Sequence, residues 1–116
     1  MKKHRKYRHT GFLREHIRHT LGFYHPRCID PTGGFFHHFY DNGERFNDHL
    51  RHLVSSTRFA ITYAIAADAL QRPAYTRHVA HGLHYLIRHH HMKMYGGYAW
   101  TIKNNSPDDK TNYCYG

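Results

Sequence analysis

At 116 residues the chain is long enough for one small domain with a modest core. Its 17 Lys and Arg against 8 Asp and Glu give +9 before its 15 histidines are counted, a balance open to nucleic acid, anionic surfaces or phosphorylated ligands. Two distant cysteines, Cys28 and Cys114, exclude a disulfide framework or a cysteine-rich zinc site, and there is no secretory apolar region or apolar run of membrane length, so a soluble, cytoplasmic protein is expected.

In chain order, residues 1–9 form a basic arm, in which "KKHRKYR" holds five of the seventeen basic side chains. Residues 10–22 are predicted helical, with Leu13, Ile17, Leu21 and Tyr24 on one face and Arg14, Arg18 and His19 opposite. The segment "DPTGGFFHHFYDNGERFND" then reads as loop, strand, tight turn and strand. Pro31, Gly33 and Gly34 break the helix, and Asp41, Asn42 and Gly43 supply hairpin chemistry.

A long helix is predicted from an N-cap at Asp48 to Gln71, where Pro73 disfavours a helical Arg72. From 59 to 67 it is apolar almost all the way round, which calls for neighbours on more than one side, yet Arg58 immediately precedes that run. Pro73 suits the first turn of a third helix over 74–90, with Tyr75, Val79, Leu83, Leu86 and Ile87 as its apolar stripe against Arg77, His78, His81, His84 and Arg88. After it, "GGYAWTI" echoes "GGFFHHF" 63 positions earlier, a glycine pair leading an aromatic extended run after a helix. A helix–helix–strand unit repeated at that spacing predicts a stack or ring of helical hairpins, of which this chain holds about two.

"HPRCIDPTGGFFHHFYDNG", "RHLVSSTRF" and "GGYAW", in that order, resemble the N-terminal third of the N-acylglucosamine 2-epimerase family, and most of all its mannose isomerase-like members. The resemblance implies an all-α fold: part of an (α/α)6 toroid, about two helical-hairpin units with short β-hairpin segments, spanning 10–116. It also implies that Gly116 is a truncation point, since "KTNYCYG" resembles the start of the family's next inner helix. The implied activity is aldose–ketose isomerisation or 2-epimerisation of a monosaccharide through an enediolate, with no metal or redox cofactor. Histidines suit the proton transfers at C2, and a fixed arginine fork suits the developing oxyanion.

Residue by residue, the resemblance implies that Arg58 is the pocket arginine and that Trp100 helps wall the sugar. On residue chemistry alone, Arg58 would pair with an acid such as Asp68 or lay its stem along the helix edge, and Trp100 would be core. Many relatives have a polar aromatic immediately before this tryptophan, where this chain has Ala99. Tyr98, one place earlier, would point to the other face of a strand. The family's acid–base histidines match none of the fifteen here, so no catalytic residue is assigned. The chain alone is expected to be inactive and marginally folded, with an uncovered apolar face that favours association.

Other classes of function start from the same residues. His89, His90 and His91, together with the i, i+3 pairs His16/His19, His49/His52, His78/His81 and His81/His84, have chelating spacing, but no carboxylate or cysteine completes a site and no metal is assigned. The basic arm and the Arg/His helix faces would suit nucleic acid, although no recognised nucleic-acid module fits the spacing, and neither nucleic acid nor membrane is the expected partner.

Overall fold

A computed structural model describes residues 6–114. Its frame is three helices: α1 (Thr10–Tyr24), α2 (Leu53–Ala69) and α3 (Thr76–Tyr85). The 3-10 turn Pro73–Tyr75 leads into α3, which widens at its end into the π-type turn Leu86–His90. A three-stranded antiparallel sheet, β1 (Leu50–His52), β2 (Thr101–Lys103) and β3 (Ser106–Pro107), covers the start of α2, with Arg51 opposite Ile102. Of the basic arm, Lys6–Arg8 forms one 3-10 turn with Tyr7 edge-on to Phe12, and residues 1–5 lie outside the described residues.

Apolar periodicity accounts for the main cluster. Ile17, Leu21 and Tyr24 of α1 meet Phe59, Tyr63 and Ala66 of α2 around Phe35 and Cys28. A second cluster, Tyr85, Met92, Ala99 and Ile102, fills the space beneath the sheet. On α2 the buried stripe is Leu53, Ser56, Ala60, Tyr63 and Ala66, whereas Ile61 and Ile65 are 57% and 56% exposed. The helix that is apolar nearly all round is therefore covered on one side here.

Three sequence expectations are corrected. Asp48 is not the N-cap of α2: residues 50–52 are drawn into the ladder with β2, and the His52 side chain caps the helix by accepting the Val54 N–H at 3.2 Å. Partners fifty residues away impose that strand. The segment 30–48 forms only isolated bridges, Ile29 to Phe35 and Phe39 to Arg45, around a turn at Tyr40 to Gly43, and no paired strands. The two-residue hairpin lies instead at Asn104 and Asn105, both at positive φ, between β2 and β3. The stripe of α3 is corrected in part: Tyr75, Val79 and Leu86 pack inward as expected, joined by Gly82 and Tyr85, while Leu83 and Ile87 are exposed. Gly82 lies at the contact with α2, because a Cβ there would stand 2.6 Å from the Phe35 ring and 3.4 Å from Ala60 Cβ, so this approach needs glycine.

The sequence echo is also a backbone repeat. Gly33 N–H donates to Asp30 O, Asp30 N–H to Gly34 O and Phe36 N–H to Cys28 O, at 3.0, 3.1 and 2.7 Å. Gly96 N–H donates to Met92 O, Met92 N–H to Gly97 O and Ala99 N–H to His90 O, at 2.8, 3.0 and 2.7 Å. Gly34 and Gly97 share φ +72, the left-handed conformation that favours glycine.

Candidate functional site

Both glycine-led arms end at the start of α2, and together they satisfy its first backbone donors. The first arm delivers His37, whose Nδ1 accepts the His52 N–H at 3.0 Å. The second delivers Trp100, whose carbonyl accepts the Leu53 N–H at 2.8 Å. In the repeat, His37 and Trp100 occupy equivalent positions. The His37 ring stacks on Phe59, and the Trp100 indole meets the His52 ring edge-on at 4.6 Å and Tyr113 at 4.4 Å.

Behind them, Ser56 Oγ lies 3.4 Å from His37 Nε2 and 3.3 Å from His90 Nε2, and His90 Nδ1 lies 2.8 Å from Ala99 O. Ser56 and His90 are buried. Burial holds His37 neutral, its pKa pushed down to about 3 with help from the charges of Arg51, His38, His90 and His52. Burial likewise lowers His90, against an opposing contribution from its bond to Ala99.

A buried ion pair locks the first arm in place. Asp30 Oδ2 accepts from Arg51 Nη2 at 2.5 Å, while its Oδ1 accepts from both the N–H and the hydroxyl of Thr32. The Arg51 guanidinium also lies 4.7 Å from the centre of the Phe36 ring. Sequence reading missed this pair. The Asp-Pro-Thr turn was visible, but the partner of its carboxylate is set by tertiary structure.

Arg58 stands on the exposed face of α2 that also carries Ile61 and Ile65. It lines a groove of about 490 Å³ between α1 and α2, with His16, Thr20, Tyr24, His37 and Ser55 among the other walls. Trp100 is not one of those walls. It sits at the cap of the helix, about 7–8 Å of axial rise from Arg58 along α2. Ala99 is fully buried, and Tyr98 is turned against His91. Of the histidine tract, His90 is buried, His89 packs on Tyr85 and His91 on Tyr98, so the three rings meet different surroundings. Among the described residues, no three His, Cys, Asp or Glu side chains gather as a metal-binding group, and no helix is long and apolar enough to cross a membrane.

Comparison with known proteins identifies the fold and the family. Residues 34–116 match the N-acylglucosamine 2-epimerase (GlcNAc 2-epimerase) family. The chain is 45% identical over 105 residues to the D-mannose isomerase of Marinomonas mediterranea, covering 90% of this chain and 26% of that protein. It superposes on a crystal structure of D-mannose isomerase with a TM-score of 0.86 at 43% identity, over 90% of this chain and 27% of the other. Cellobiose 2-epimerase from Bacillus thermoamylovorans shares the fold, with a TM-score of 0.70 at 18% identity over 85% of this chain and 27% of its own. The chain thus spans about a quarter of the length of the relatives it matches. Its architecture is part of an α/α toroid, helix-rich with a small β-hairpin. With the family match running over most of its length, and a solved relative superposing on 90% of it, the chain belongs to the N-acylglucosamine 2-epimerase family.

Proposed function

We propose that this chain supplies substrate-binding residues to a sugar isomerase or epimerase, which interconverts an aldose with its ketose, as mannose with fructose, or inverts C2 of an N-acylglucosamine-type sugar. Arg58 donates to the substrate oxygen that becomes the oxyanion of the enediolate, and Trp100 offers an aromatic face to the sugar's C–H surface. The observation that carries this reading is Arg58 on the exposed face of α2, lining a groove, within the motif that resembles the family's pocket helix.

The acid–base groups lie outside these residues. His37 and His90 have both ring nitrogens committed to hydrogen bonds, which suits holding a site rather than exchanging protons with a substrate. A cytoplasmic setting fits two free cysteines, Cys28 buried and Cys114 exposed, and the bare Ile61/Ile65 face favours association, including with further copies of the chain.

The test is Arg58→Ala in a full-length isomerase carrying RHLVSSTRF. Loss of one charged donor to an oxyanion is expected to lower turnover about a hundredfold, or roughly 3 kcal/mol. A change below about threefold in a correctly folded variant would make Arg58 a structural residue. Residues 1–116 alone are expected to associate in size-exclusion chromatography and to show no mannose–fructose turnover. A monomer with clear isomerase activity would place the chemistry on a histidine of this chain.

A further inference from the structure

The hydrogen bonds joining His37, Ser56 and His90 admit one arrangement of protons. Ala99 O can only accept, so His90 Nδ1 carries its proton. Neutral His90 then presents Nε2 as an acceptor, and the single hydroxyl proton of Ser56 goes to it. Ser56 Oγ is left to accept from His37 Nε2–H. At the far end His37 Nδ1 must be bare, because it accepts the backbone N–H of His52. Both ends are backbone groups of fixed polarity, a donor at His52 and an acceptor at Ala99, so the chain cannot run the other way. It holds two neutral imidazoles of opposite tautomer on one buried hydroxyl.

This chain connects the parts of the site that carry the sugar-binding groups. Ser56 is in the first turn of α2, two residues before Arg58. His37 is a wall of the groove that Arg58 lines. His90 grips Ala99 at two points, accepting its N–H at 2.7 Å and donating to its carbonyl at 2.8 Å, and Ala99 immediately precedes Trp100. At the equivalent place in the first arm the chain has Cys28, whose Sγ reaches Tyr63 in the core instead. Both arms are wired to the first turn of α2, the first through the His37 ring and the second through His90.

We propose that Ser56 and His90 are positioning residues, and that the His37–Ser56–His90–Ala99 chain fixes where Trp100 stands relative to Arg58. The wiring stands on geometry alone; what it positions Arg58 and Trp100 for rests on the proposed function.

The experiment uses residues 1–116 and the only tryptophan of the chain, Trp100, as reporter. Nitrogen-15 NMR of the histidine rings at pH 7.5 should show His37 protonated at Nε2 and His90 at Nδ1. In Ser56→Ala the backbone partners at both ends should keep the two tautomers, while the Trp100 emission maximum should shift; Ser56→Cys, with a weak S–H donor, should shift it less. D-mannose binding, followed by the same emission, should weaken roughly tenfold in Ser56→Ala, a change of about 1.4 kcal/mol. Like tautomers at His37 and His90 in the unmodified chain would overturn the proposal without recourse to any variant. So would a folded Ser56→Ala with unchanged Trp100 emission. Should the unmodified chain bind no mannose, the proposed function is weakened for this chain, while the tautomers and the emission shift still decide the wiring.

Discussion

The two glycine-led arms share a backbone and differ in what they put behind it. In the first, Phe35 is buried against Phe59 and Tyr63, and the Cys28 thiol lies 3.2 Å from the Tyr63 hydroxyl in the core. In the second, Tyr98 at the position matching Phe35 is 41% exposed, Ala99 replaces a phenylalanine, and His90 stands where Cys28 does. Both arms reach the start of α2 through hydrogen bonds, but at matching positions the first puts Phe35 into the aromatic core while the second leaves Tyr98 outside it. The comparison teaches that the repeat dictates where the arms land, through turns that need positive φ, while the side chains decide what each landing does.

The sharpest way to break the comparison is to truncate the matching aromatics. Phe35→Ala should cost about 3–5 kcal/mol, enough to unfold a domain of this size, because it empties the space between two stacked rings. Tyr98→Ala should cost less than about 1 kcal/mol in the same denaturant titration. Equal losses would mean that Tyr98 packs as Phe35 does.

The glycines give the next effect. A Cβ on Gly34 would stand 2.8 Å from the Tyr85 ring at φ +72, so Gly34→Ala should cost roughly 3 kcal/mol from overpacking and left-handed strain together. Gly96 has φ +74 but open space around it, so Gly96→Ala should cost about 1 kcal/mol from strain alone. Thermal unfolding of the two variants checks the ranking.

The last effect is spread over pH, and it separates His37 from its counterpart Trp100, which does not titrate. Above pH 6.5, the ordinary histidine value, His37 is neutral in both the folded and the unfolded chain, and its full stability is present. Between 6.5 and about 3 the unfolded chain takes up a proton that folded His37 refuses, so stability falls by about 1.4 kcal/mol for each pH unit lost. His25, His52, His78 and His90 are lowered too, in each case chiefly by burial, and steepen the same acid limb. Denaturant titrations from pH 7.5 to 4.5 should show this slope, and His37→Gln should flatten it by about one proton. An unchanged slope would mean that His37 is not held neutral by the fold.

Much of the frame was legible from residue order. The extents of α1 and of the end of α2 follow from apolar spacing and Pro73, and the repeat follows from two glycine pairs, because φ preferences and helical periods are local properties. The family likeness was carried by motifs long enough to be specific. Tertiary structure alone decided the rest. On α3, Tyr75, Val79 and Leu86 kept their expected inward places, but close contact through Gly82 left Leu83 and Ile87 exposed. Pairing with β2 pulled residues 50–52 out of the predicted helix, and the Asp30–Arg51 ion pair and the Ser56 hydrogen bonds join residues 19 to 34 positions apart. Such contacts depend on which surfaces meet, and no local preference encodes that meeting.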